Sequence, residues 1–329
     1  MAGKVVIKGE DKTTGDTMVE LIKVWPRPID RDAYLERITG PRGGNRGYRE
    51  YNSSNKTLYP SVTSVLQSLA KPALPNWYAK KVAERAGEHW ISDAPHDSKD
   101  TFGKTKLTGG GYRSTIGLDL FIKDVKSAPR EEFMVAGAVG TEAHNCIERI
   151  IQSKLNDGYG TYREVGKYIT DDFPFSYEKA KNAVNSWIEW ISNPDRNFEF
   201  LESEFGTLNP IDGLGYAGTV DAVASAHLGG KKPHLIVFDW KTGSGIYPET
   251  SLQLAAYMES IWKTFDLRHM YSGIKGCVVR LGTTEHPDTE VKYVRNHQGS
   301  YQVFVSLLNV HNNMGPTLLT GDIGETIYG

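Results

Sequence analysis

The 329-residue chain carries 38 Lys and Arg against 40 Asp and Glu, so its formal charge of −2 removes net charge as an argument for nucleic-acid binding. Its 39% hydrophobic and 11% aromatic content suffices for a real core, in one large domain or two of ordinary size. No apolar run approaches the roughly 18 residues of a membrane span, and the amino terminus is charged. Two cysteines, Cys146 and Cys277, exclude a disulfide framework and a four-cysteine zinc or iron–sulfur site, so a reducing, cytoplasmic setting is expected.

Residues 1–58 are polar and include GPRGGNRGYRE, which reads as irregular extension or edge structure. Residues 59–130 read as a helical subdomain. YPSVTSVLQSL opens a helix with Pro60 and Ser61 as its start signal and Val62, Val65, Leu66 and Leu69 at helical spacing, and PNWYAKKVAERAGEHW supplies a second. Residues 93–116 are rich in Gly, Ser, Thr and Lys and read as a long loop. The GKT within it lacks the glycine five residues earlier that a phosphate-binding loop requires, the residue there being Ser98. Between 71 and 130 lie eleven Lys and Arg against seven Asp and Glu, a local surplus that fits either a basic patch or a solvated helical surface.

Residues 131–310 alternate types. A helix is expected from about Glu131 into GTEAHNCIERIIQSKL and another over YEKAKNAVNSWIEWIS. The strands FEFLESEFG, GYAGTVDAVASA and HLIVFDWKTG follow, then a helix ETSLQLAAYMESIWKTF, strands GIKGCVVRLG and EVKYVRN, and a closing helix. The pattern predicts an α/β or α+β fold around a central mixed sheet flanked by helices. HNN at 311–313 reads as a helix end, and 311–329 as a tail.

Chemistry concentrates in few residues. In IVFDWKTG, Asp239 and Lys241 are two apart on a strand, so they point to one face, and their burial is unfavourable unless they are paired or bound to something. Asp221 sits on the preceding strand, joined by the turn HLGGKKPH, which would set the two aspartates side by side. Paired carboxylates beside an ammonium suit a hard divalent cation and a water poised for hydrolysis. His144 and Glu148 are i and i+4 on one helix face, so His144 could add a nitrogen ligand that favours Mn²⁺. Singly, each has a bland reading: a satisfied histidine, a turn-capping aspartate, ordinary helix residues at Gln253 and Tyr257.

Four motifs occur in order: GTEAH (Gly140, His144), GTVD (Gly218, Asp221), DWK (Asp239, Lys241) and QLAAY (Gln253, Tyr257). Together they resemble the RecB-like branch of the PD-(D/E)XK nuclease superfamily, whose pattern is GxxxH, GxxD, DxK and QxxxY. The likeness covers about residues 59–310. It implies a restriction-endonuclease-like core and phosphodiester hydrolysis that leaves a 5′ phosphate. Asp221, Asp239 and Lys241 would be catalytic; His144, Asp221, Asp239 and the Trp240 main-chain carbonyl would hold Mg²⁺ or Mn²⁺; Gln253 and Tyr257 would face DNA. Glu204 matches a frequent acidic position of the family, and Glu148 is a further supporting candidate. The two cysteines do not flank the core, so the chain resembles the members without an iron–sulfur cluster, such as phage and mitochondrial genome maintenance exonucleases.

The resemblance implies a DNA partner, at single strands or duplex ends, no membrane, a possible replication or recombination protein partner, and the cytoplasm of a bacterial or phage-infected cell. It favours an exonuclease. A structure-specific endonuclease and a nuclease-fold module that binds without cutting stand as alternatives. Threading of an end under the 93–116 segment, with Trp77 or Tyr78 stacking on bases, goes with the exonuclease reading; the simpler reading of the same two aromatics is core.

Overall fold

The computed structural model of the chain describes residues 5–7, 18–25, 34–39, 46–51, 54, 57–69, 73–92, 118–158, 160–210, 215–264, 267–284 and 286–313. The chain divides into two compact units, Met1–Leu69 with Gly140–Gly329, and Ala70–Val139. The fold mixes α and β, with two five-stranded sheets among the described residues. The helical unit thus lies at 70–139, not at the expected 59–130.

The N-terminal segment forms an antiparallel sheet of β1 (Val5–Ile7), β2 (Met18–Lys23), β3 (Tyr34–Thr39), β4 (Arg46–Glu50) and β5 (Tyr59–Pro60), in that order. Strands thus occupy part of residues 1–58, where irregular extension or edge structure was expected. Ile22 lies opposite Leu35, and both are buried with Tyr48 and Tyr59 around Ala217. In MVELIK and YLERIT the strand signal is short and interrupted by charge, so nothing local separates it from the Gly-rich stretches beside it. Helix α1 (Val62–Leu66) follows; Ser61 caps it, its Oγ accepting from the Ser64 N–H at 2.9 Å, and Val62, Val65 and Leu66 are buried.

In the second unit, α2 (Ala73–Ser92) runs antiparallel to the part of α3 (Leu118–Asp157) that ends at Val139. Trp77 meets Phe133 edge-on at 6.3 Å, Arg85 reaches Glu131 and Asp124 at 3.1 and 3.2 Å, and His89 lies 2.8 Å from Asp124. Helix α3 starts at Leu118 rather than near Glu131; SAPREE reads as a helix start, but Pro129 sits inside the helix. Counted over this unit, the eleven basic residues face nine acidic ones, because Glu131 and Glu132 belong to it. Lys80 and Lys81 pair with Glu84, Lys81 also with Glu132, and Arg85 with Asp124 and Glu131, so three of the basic residues are engaged internally. Trp77 is half-buried and Tyr78 exposed. The segment 93–116 lies outside the described residues.

The first unit continues through α4 (Tyr162–Asp172), α5 (Glu178–Ile191), β6 (Phe198–Asn209), β7 (Tyr216–Ala226), β8 (His234–Lys241), α6 (Glu249–Thr264), β9 (Ile274–Arg280), β10 (Glu290–Tyr293) and α7 (His297–Asn313). Sequence reading missed α4, whose signal was Thr161-Tyr-Arg-Glu164. Thr161 and Glu164 form a reciprocal capping box, each side chain accepting from the other's backbone N–H.

The second sheet has the order β10-β9-β8-β7-β6, with β8 and β9 parallel and the other neighbours antiparallel. On one face Leu235 and Val237 of β8 join Leu254 and Ile261 of α6, Phe304 and Leu308 of α7, and Val62 and Val65 of α1. On the other, Phe238 and Trp240 enter an aromatic block with Phe200 of β6 and Trp190 of α5. Strand β8 is therefore buried on both sides, which is why it reads as a continuous apolar run. That clamping holds the strand end bearing Asp239 and Lys241 in place. Among the described residues no helix is long and apolar enough to cross a membrane.

Candidate metal centre

Near the end of β8, Asp239 is almost wholly buried, 1% exposed, with Lys241 two residues on. Lys241 Nζ donates to Asp239 Oδ1 at 2.9 Å and lies 2.8 Å from Oδ2, which has no hydrogen bond directed at it. The same ammonium donates to Gln253 Oε1 at 3.3 Å, and Gln253 Nε2 donates to the Tyr257 hydroxyl at 3.5 Å. Same-face placement of Asp239 and Lys241 thus follows from the strand period, as the sequence implies.

Asp221 approaches from β7. The β7–β8 ladder ends at Ala222 opposite Phe238, and beyond it the Asp221 carboxylate takes over, accepting from the Trp240 N–H at 2.7 Å. His144, from α3, lies between strands. Its Nε2 donates to the Trp240 carbonyl at 3.1 Å, and its Nδ1 sits 3.5 Å from Asp221 Oδ1 and 3.6 Å from Glu204 Oε1. Glu204 adopts φ +47°, the left-handed region that a residue with a Cβ seldom enters.

The Trp240 carbonyl, expected as a metal ligand, accepts a hydrogen bond from His144, which fixes the ring so that Nδ1 faces the carboxylates. Tyr257, expected to face DNA, is 3% exposed, and its ring covers Gly218: a Cβ there would fall 2.6 Å from Tyr257 Cε1. The glycine of GTVD and the tyrosine of QLAAY are therefore one packing contact. Gln253 is half-buried and links that contact to Lys241. Gly140 lies 3.5 Å, measured from an added Cβ, from Thr242 in the turn after β8. Glu148, one turn beyond His144, is half-buried and lies outside the ligand group described next.

Among the described residues, His144, Glu204 and Asp221 form a group whose ligand atoms lie within 4.8 Å of one another. Asp239 lies outside this group, though its charge interacts with Asp221 and His144, and the donors of the group are one imidazole nitrogen and carboxylate oxygens. Such a set fits a hard divalent cation, Mg²⁺ or, with the nitrogen, Mn²⁺.

Burial, together with the nearby Asp221 charge, pushes the Asp239 carboxyl up to about 6 despite Lys241. Burial opposes charge on His144, yet Asp221 and Glu204 hold its pKa well above the usual value. Burial likewise opposes the Asp221 carboxylate, but His144 and Lys241 hold it below its ordinary value. Lys241 is desolvated, and Asp239 and Asp221 nevertheless keep it above its ordinary value.

These directions fix a sign. A carboxyl raised in the folded state makes folding less favourable as pH climbs from about 4 to about 6, and a raised imidazole loses its contribution above about 6.5. Asp221 acts only below about pH 4. Asp239 and His144 therefore contribute a loss of metal-free stability between about pH 5 and 8, against the opposite contribution of His234, His297 and His311, whose pKa values burial lowers, and Mn²⁺ is expected to raise the Tm more at pH 8 than at pH 5. An equal Mn²⁺-induced rise at the two pH values in thermal melts would contradict the assignment.

No protein-family model matches the sequence, and no curated protein matches it. Among solved structures, one described as "Crystal structure of SSO0001" is similar at 16% identity, covering 53% of this chain and 74% of its own, with a TM-score of 0.26. A likeness of that size carries no argument.

Proposed function

We propose that this chain is a divalent-metal-dependent deoxyribonuclease with a RecB-like PD-(D/E)XK core, a restriction-endonuclease-like arrangement, acting on DNA ends. One observation carries the reading. Residues from four motifs spread between 140 and 257 converge on one network, in which Tyr257 packs on Gly218, Gln253 joins Tyr257 to Lys241, Lys241 holds Asp239, and His144 and Trp240 hold Asp221.

His144, Glu204, Asp221 and Asp239 are the residues that would hold the ion. Bound there, a divalent cation would supply Lewis-acid polarisation of a phosphoryl oxygen and a lowered pKa for water. The chain's own contribution is placement. Lys241 presents a fixed positive charge where charge builds up on the phosphoryl group, and Gln253 holds the ammonium in line. The apolar clamp on β8 keeps these groups from moving as charge develops.

The reading is tested by digesting end-labelled linear and covalently closed single- and double-stranded DNA with Mg²⁺, Mn²⁺ or EDTA. Cleavage confined to linear molecules and abolished by EDTA is expected. Equal rates on closed single-stranded circles would transfer the proposal to an endonuclease, and binding without cleavage would leave a non-cutting module.

His144→Ala should weaken Mn²⁺ binding by about tenfold and lower the Mn²⁺ to Mg²⁺ activity ratio, because a nitrogen ligand suits Mn²⁺ better. Unchanged affinity by calorimetry would remove His144 from the ligand set.

A further inference from the structure

The left-handed backbone at Glu204 needs a physical cause. A non-glycine residue held there is unfavourable by about 1–3 kcal/mol and persists only where its surroundings over-determine it. The strand around it is irregular: the register of β6 against β7 shifts between Phe200 and Glu202. At that shift Glu202 is buried, 8% exposed, and fully partnered. Its Oε1 accepts from Gln152 Nε2 of α3 at 2.7 Å and from the Ser203 N–H at 3.2 Å, and its Oε2 accepts from Lys23 Nζ of β2 at 3.0 Å. Gln152 Nε2 also donates to Ser203 Oγ at 3.0 Å.

The placement of these partners is informative. Gln152 is eight residues, just over two turns, from His144 on the same helix, so the two residues share a face. Glu202 and Glu204 are likewise two apart on one strand. The helix thus touches β6 at two points, through Gln152 at Glu202 and through His144 at Glu204. Lys23 ties the first point to the N-terminal sheet, and the parallel bridge from Val24 to Gly206 ties the other side of Glu204 to the same sheet. Glu204 is pinned before and after.

We propose that Glu202 is a positioning residue for the metal centre: gripped by Lys23 and Gln152, it sets the irregular turn of β6 that aims the Glu204 carboxylate at His144. The inference rests on the reading of this site as a metal centre, but the turn itself is a property of the chain alone. It also gives the N-terminal sheet a role, since β2 holds the strand that carries a candidate ligand.

The test uses the full chain and two readouts, a crystal structure without metal and Mn²⁺ titration calorimetry. Gln152→Leu removes two donors while keeping the Lys23–Glu202 ion pair. In the crystal, Glu204 should return to an extended φ with its carboxylate withdrawn from His144. Mn²⁺ affinity should fall by about tenfold with little change in Tm. A Lys23→Met, Glu202→Gln double variant strands no charge and keeps the acceptor for Gln152 and Ser203 but cuts the tie to the N-terminal sheet, so Glu204 should again leave the left-handed region and Mn²⁺ affinity should fall; a double variant with native Glu204 geometry and affinity would remove Lys23 from the grip. A folded Gln152→Leu protein that keeps the left-handed Glu204 and native affinity would overturn the proposal. Wild-type protein that binds no Mn²⁺ would sink the metal reading instead, and the crystal structures would still decide the positioning role.

Discussion

Asp239→Asn and Lys241→Ala are each expected to lower DNA cleavage by about 10³-fold or more, equivalent to about 4 kcal/mol on the barrier, while the protein stays folded. The two should fail differently. Asp239 is buried with one oxygen free of directed hydrogen bonds, so its amide variant removes a ligand oxygen and should weaken Mn²⁺ binding as well as turnover. Lys241 sits between Asp239 and Gln253 as a charge, so Lys241→Ala should bind Mn²⁺ at least as well as wild type and still not cut. Lys241→Arg should not rescue, because a guanidinium would pair bidentately with Asp239 and spread its charge over a plane, whereas the ammonium is a compact point charge shared between Asp239 and Gln253. Near-native turnover in folded Lys241→Ala, measured with saturating Mn²⁺ on end-labelled DNA, would remove Lys241 from the reaction.

Trp187→Ala is expected to destabilise the protein by about 3–5 kcal/mol, read from denaturant midpoints at constant m. The side chain is wholly buried and meets Tyr162, Phe200 and Trp240 at ring-centroid distances of 5.9, 6.2 and 6.0 Å. Because Trp240 lies between Asp239 and Lys241 in the chain, the resulting cavity opens directly behind the site. Trp187→Phe should be far milder, below about 1.5 kcal/mol, since it keeps an aromatic ring and deletes a buried indole N–H that has no hydrogen-bond partner among the described residues. Equal losses in the two variants would show that the indole itself, rather than the filled volume, matters at this position.

Much of this site is legible along the chain. The period-2 spacing of Asp239 and Lys241 dictates that they share a face, the turn between β7 and β8 brings Asp221 to the same strand end, and the apolar run Leu235–Phe238 already announces a strand covered on both sides. These are local properties, settled by backbone geometry over a few residues. What they leave open belongs to the tertiary structure. That Gly218 and Tyr257 are one contact depends on how α6 lies across β7, which no spacing encodes. The turn of Glu204 toward His144 depends on Lys23 and Gln152, separated from Glu202 by 179 and 50 positions. The N-terminal sheet escaped notice because its short, charge-interrupted strands acquire an inside only when Ile22, Leu35 and Tyr48 close over Ala217. Residue types and their order determine which groups can do chemistry here; long-range packing alone decides which of them meet, because burial and pairing are energies of the assembled chain and not of any segment.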